Sequence, residues 1–225
     1  MQHIKRYAGF YSLYILFLIV LGLLLLMHSK VDLHLLLTSY HTDFTDFLFK
    51  HLTEIGGSIP VIIAILLILY KYRAAIFAVS AQIVVAITTN ILKKIFSEPR
   101  PKLWFRDNFP DVELHRVEGV HLHSVNSFPS GHTASAFAIF LALAFMTKNK
   151  ALQMVYAVLA ISAGYSRIYL SQHFAADVFL GSIVGVFATV LCWFCIENRI
   201  PKWGNYSLLK VDKRKTKKPN KSKKS

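Results

Sequence analysis

Residues 166–196 read SRIYLSQHFAADVFLGSIVGVFATVLCWFCI, and two features of this stretch decide the fold. From Phe174 to Ile196 the only charged side chain is Asp177. A run of about 20 mostly apolar residues is long enough to cross the hydrocarbon core of a bilayer as a helix. Asp177 nevertheless sits near the start of that run, with His173 four residues before it. A carboxylate in a membrane span is expensive unless it pairs or serves a site. Residues i and i+4 of a helix share a face, so this pair can touch. The stretch reads as a membrane helix with chemistry at its mouth.

The rest of the 225 residues repeats the pattern of apolar blocks: 54% are hydrophobic, 17% are charged, and the mean hydropathy is +0.44. Six spans are expected, at Gly9 to Met27, Ile59 to Tyr70, Ala74 to Phe96, Gly131 to Met146, Ala151 to Tyr169 and Phe174 to Ile196. The second reaches spanning length only if Ile55 to Ser58 joins it. The expected fold class is therefore all-α, a polytopic six-helix transmembrane bundle. Residues 1–199 form the membrane domain, with a signature core at 93–177. Residues 200–225 form a basic tail expected to be disordered. Cys192 and Cys195 read as small residues one helical turn apart within a span, not as a redox pair.

Net charge, formally +14, is concentrated: eleven of the 26 Lys and Arg lie between Arg199 and Lys224. A nucleic-acid binder would spread such charge over a folded face, so no nucleic-acid partner is expected. With six spans both termini share one side, which collects Lys5, Arg6, Lys71, Arg73, Lys148, Lys150 and the tail. Nearly all acidic residues fall in the opposite loops. The positive-inside rule puts the termini in the cytoplasm and the loops Ser29 to Ser58 and Ser97 to Phe128 outside. In the first of these, Phe44, Phe47, Leu48, Leu52 and Ile55 recur at helical spacing opposite Asp46 and Lys50. That is the pattern of an amphipathic interfacial helix, with Thr42 or Asp43 as N-cap.

Three polar clusters then fall on the outer face. Lys93 lies on the last turns of the third span, and Arg100 follows in an extended segment between Pro99 and Pro101. Lys presents a compact charge and Arg a planar fork suited to phosphate oxygens. Phe128-Pro129-Ser130-Gly131-His132-Thr133 opens the fourth span. The free N–H groups of a helix start, beside a glycine and a hydroxyl, make an anion site. His173 and Asp177, with Ser166 and Arg167 before them, form the third cluster. A carboxylate bonded to one ring nitrogen fixes the tautomer and frees the other nitrogen as a nucleophile. Cations, helix-end N–H groups, a nucleophile and an acid are the parts of a phosphoryl-transfer site.

The pattern Lys93-x6-Arg100-Pro101, Pro129-Ser130-Gly131-His132 and Ser166-Arg167-x5-His173-x3-Asp177 resembles the three-part signature of the type 2 phosphatidic acid phosphatase superfamily. The likeness covers Ala74 to Ile196. It implies that His173 attacks phosphorus to form a phosphohistidine, that Asp177 orients it, and that His132 protonates the leaving alkoxide. It implies that Lys93, Arg100, Ser130, Gly131 and Arg167 hold the phosphoryl oxygens, with no metal and no cofactor. The expected partners are a lipid phosphate substrate and the surrounding membrane lipids. The setting expected is a bacterial inner membrane with the site on the outer face. A phosphotransferase passing phosphate to a second lipid would use the same residues, as would a non-catalytic lipid phosphate carrier, though a carrier needs no activated nucleophile. His115, His121 and His123 share one loop, and His121-x-His123 has chelating spacing. No Cys or carboxylate sits at ligand spacing to close a metal site there.

Overall fold

The computed structural model of the chain describes residues 5–196 together with Arg199, Gly204, Tyr206 and Leu208. The basic tail expected over residues 200–225 lies outside the described residues, apart from those last three. The described residues hold helices and no strand: α1 (Ala8–Met27), α2 (Lys30–Leu37), α3 (Asp43–Leu52), α4 (Ile59–Tyr70), α5 (Tyr72–Phe96), α6 (Pro101–Asn108), α7 (Gly131–Phe145), α8 (Lys150–Tyr169) and α9 (Ala175–Ile196).

The six apolar runs each become a helix, within two residues of the expected bounds. Helices α1, α5 and α9 are long and apolar enough to cross a membrane. Helix α4 has only 12 residues. It counts as a further span only together with Asp43–Ile55, from which it is bent by 49°. Ile55 to Ser58 do not extend α4: Ile55 ends a short 3-10 turn and residues 56–58 form the turn at that bend. Two short helices were not anticipated, α2 and α6. The second begins at Pro101, where a proline that ends one helix serves as the first residue of the next.

Helix α7 is the axis of the bundle, with α5, α8 and α9 packed around it, α1 on α8, and α4 on α5. Eleven of its 15 residues are buried. At about 1.5 Å per residue it is shorter than a hydrocarbon core about 30 Å thick. Being enclosed by protein, it has no lipid-facing length to fill. The outer helices show the reverse. Ile15, Leu16, Ile19 and Leu23 of α1, Ile62 and Ile65 of α4, Ile83 and Ile87 of α5, and Phe187 and Phe194 of α9 are all exposed. An apolar girdle of this size suits lipid, not water.

Small residues bring the central helices together. A Cβ placed on Gly185 of α9 would lie 2.3 Å from the Ala134 carbonyl oxygen of α7, and one on Gly181 would lie 2.6 Å from that of Ser130. Close backbone approach through small residues is the usual way membrane helices gain packing. Here it presses the start of α9, with Asp177, against the start of α7, with His132.

Helix α3 is amphipathic and is capped by Thr42, whose Oγ1 accepts from Thr45 N while Thr45 Oγ1 accepts from Thr42 N. Phe44 and Phe47 face outward. Asp46 and Thr45 turn inward to the hydroxyl of Tyr169 on α8.

Candidate active site

The turn between α8 and α9 seats His173. Gln172 N and His173 N both donate to the carbonyl of Arg167, at 3.0 Å each, while Ser171 takes a left-handed conformation with φ 49°. His34 of α2 supports the turn from outside, its Nε2 lying 3.3 Å from Ser171 Oγ. His173 thus stops just short of α9, and Asp177 faces it one turn on. Asp177 Oδ2 accepts from His173 Nδ1 at 3.1 Å, from Phe174 N at 2.9 Å, and from the Ser127 hydroxyl. The last two donors, together with His173, fix the position of that oxygen. With the Nδ1 proton committed to Asp177, the lone pair of His173 is on Nε2.

His173 and Asp177 are both buried. Burial pushes the His173 imidazole down to about 3, against the pull of Asp177, whose charge and hydrogen bond favour the protonated ring. The ring is neutral at ordinary pH, as a nucleophile must be.

The start of α7 lies directly beside this pair. Ser130 N donates to the Asp177 carbonyl at 2.9 Å, tying the two helix starts together. Ser130 is the N-cap of α7: its Oγ accepts from Thr133 N and, at 2.8 Å, from Thr133 Oγ1. Its own hydroxyl proton is left for a ligand. Lys93 lies beside Gly131, its Nζ 3.7 Å from the position a Cβ would take there. The titratable neighbours of His132 are Arg167, His173, Lys93 and Arg100. The three clusters therefore meet at one place.

The two arginines are held by scaffolding that motif reading alone did not assign. Arg100 Nε donates to Val125 O at 3.0 Å, and its Nη1 to Gln172 O and Oε1 at 3.2 and 3.1 Å. Gln172 Nε2 in turn donates to His121 O at 2.7 Å. Arg167 Nη1 donates to Thr53 Oγ1, whereas its Nε is buried with no partner among the described residues. An unpaired buried guanidinium N–H is costly and is able to donate to an anion.

The turn after α3 contributes more than Thr53. Gly57 is flanked by Glu54 and His132: a Cβ there would lie 3.3 Å from Glu54 Oε2 and 3.4 Å from His132 Nε2. A cleft of about 540 Å³ runs from His132 and Lys93 between α4 and α5, past Thr89 and Asn90, as far as Val61 and Gln82.

The loop histidines separate. His123 lies at the rim of the site, where burial, Arg100, His121 and Arg167 lower its proton affinity. His115 is drawn away to Asp46 and His41. A carboxylate does lie within reach of a loop histidine after all, 69 positions away in sequence and invisible to local spacing.

The chain is similar to known proteins along much of its length. The chain is 25% identical over 176 residues to the lipid A 4'-phosphatase of Bacteroides thetaiotaomicron, covering 74% of this chain and 77% of that one. It is 29% identical over 157 residues to the probable lipid phosphate phosphatase 4 of Arabidopsis thaliana, covering 56% of this chain and 51% of that one, so it spans about half the length of the plant relative. The crystal structure of Aquifex aeolicus LpxE superposes with a TM-score of 0.64 at 25% identity, covering 73% of this chain and 94% of that one. The family model described as the PAP2 superfamily matches residues 71–201, more than half of the chain. Every residue gathered at this helix mouth from Lys93 to Asp177 falls within that match, and the chain belongs to the PAP2 superfamily.

Proposed function

We propose that this chain hydrolyses a lipid phosphate monoester or diphosphate through a phosphohistidine at His173. The observation that carries the reading is the buried His173–Asp177 pair, its Nδ1 held on the carboxylate, set among Lys93, Arg100 and Arg167.

In the first step His173 Nε2 attacks phosphorus as the bond to the lipid oxygen breaks. His132 gives its proton to the departing oxygen. In the second, His132 takes a proton from water, the water oxygen attacks phosphorus, and the P–N bond breaks to release inorganic phosphate and restore His173. Charge on the equatorial oxygens is met by Lys93, Arg100 and Arg167, by the Ser130 hydroxyl, and by the first N–H groups of α7. The reading needs no metal at the phosphate. Positive charge at the loops joining α4 to α5 and α7 to α8, and acidic residues in the opposite loops, support a site on the non-cytoplasmic face with both termini inside. The names of the relatives support a lipid phosphate as substrate.

The test is phosphate release by purified protein in EDTA from phosphatidic acid, phosphatidylglycerophosphate, an isoprenyl diphosphate and lipid A. At least one is expected to release phosphate, with His173→Ala lower by about a thousandfold or more. Labelled phosphate should be trapped on the wild type as an acid-labile adduct absent from His173→Ala. Undiminished turnover in that variant overturns the mechanism. Transfer of the label to an added lipid instead of to water identifies a phosphotransferase.

A further inference from the structure

A second cluster of side chains, on the outer loops, takes no part in the reaction above. His41 lies in the link before α3, Asp46 on the first turns of α3, and His115 in the long loop between α6 and α7. One donor atom from each lies within 4.8 Å of the other two. His115 Nε2 is 2.8 Å from Asp46 Oδ2, and His41 Nδ1 is 3.4 Å from Asp46 Oδ1. The two imidazoles are stacked, with centroids 3.7 Å apart.

Several features of this cluster suit a bound cation. Two imidazoles and one carboxylate form a donor set that zinc and its neighbours favour, whereas calcium and magnesium prefer all-oxygen sets. A tetrahedral ion with bonds of about 2.0–2.1 Å holds its donor atoms roughly 3.3 Å apart; the two imidazole–carboxylate spacings, 2.8 and 3.4 Å, lie close to that, and the stacked rings must swing apart to aim both nitrogens at one ion. His41 Nε2 is buried without a hydrogen-bond partner among the described residues. In the tautomer protonated on Nε2, the Nδ1 lone pair faces the Asp46 carboxylate with no donor between them, and a cation at Nδ1 would engage it. Outer support is in place too. Asp46 accepts from the Tyr169 hydroxyl, itself 2.8 Å from Thr45 Oγ1, as carboxylate ligands commonly do.

We propose that His41, Asp46 and His115 bind one zinc-class divalent ion, with the fourth position open to solvent, and that the ion clamps the long outer loop to α3 and α8. The loop so clamped also supplies the carbonyls of His121, Ser124 and Val125 that hold Gln172 and Arg100. Occupancy therefore stiffens the roof of the site without touching phosphate.

The experiment uses the full chain, free of any affinity tag, stripped with EDTA and then titrated with zinc against a chromogenic chelator. One ion per chain is expected. His41→Ala and His115→Ala should each weaken binding by about a hundredfold or more, since loss of outer-shell partners alone costs about 10–100-fold. The His121→Ala/His123→Ala double variant should bind as the wild type does. Cobalt(II) should give d–d absorption bands that vanish in Asp46→Asn, and zinc should slow proteolysis within residues 109–123. Binding far below one ion per chain overturns the proposal. So does binding unchanged by His41→Ala and His115→Ala, or binding lost in the His121/His123 variant. Because the readout is metal affinity and not phosphate release, this proposal and the phosphatase mechanism fail separately.

Discussion

Ser127 shows how much of the catalytic geometry depends on side chains outside the signature. Its hydroxyl donates to the same Asp177 oxygen that accepts from His173 Nδ1, and its oxygen is 3.4 Å from His173 Nδ1. Its backbone N–H is fixed on Glu98 O, so the hydroxyl is delivered from a rigid position. In Ser127→Ala the carboxylate loses one of its side-chain restraints while the imidazole keeps its partner. Small misplacement of a nucleophile costs up to about a hundredfold in rate. We expect kcat to fall by about tenfold to a hundredfold with KM little moved, measured on whichever lipid is turned over. An unchanged kcat would show that Phe174 N and His173 alone hold Asp177. Local spacing could reveal the His173–Asp177 pair, four positions apart, but not a partner 50 positions upstream. The same holds for Thr53 beneath Arg167, 114 positions away, and for the His115–Asp46 contact. The clusters that carry charge and imidazole were legible; the side chains that position them from elsewhere in the bundle were not.

Among the elements, the seam between α7 and α9 decides whether the site exists at all. Gly185 and Gly181 let the two backbones touch, and that contact sets Ser130 N against the Asp177 carbonyl. Gly185→Ala would bring a methyl group to 2.3 Å from a backbone oxygen, so the helices must part. Overpacking of this kind costs about 1–3 kcal/mol. A thermal scan in detergent should show a lower midpoint, with activity reduced at temperatures where the variant remains folded. An unaltered midpoint would mean that the seam relaxes freely. The long helices were readable because twenty apolar residues in a row have few alternatives. Helices α2 and α6 escaped notice because eight residues give periodicity too little length to register. Helix α4 was found, but its separation from α3 depended on the turn at Gly56 and Gly57, which hydropathy does not report.

For the whole molecule, the distribution of charge predicts which side each loop occupies. In a background of Cys192→Ser and Cys195→Ser, a cysteine in place of the exposed Glu113 should react with a membrane-impermeant maleimide in intact cells. One in place of the exposed Lys148 should react only after lysis. The opposite pattern would invert the molecule and move the site to the cytoplasmic leaflet. The cleft beside His132 adds a consequence of its own. Val61, Ala86 and Asn90, which line it, are exposed on the flank that carries the apolar girdle. A molecule arriving by that flank drifts in two dimensions, so encounters scale with its mole fraction per unit area of bilayer. Its amount per litre of suspension then matters little.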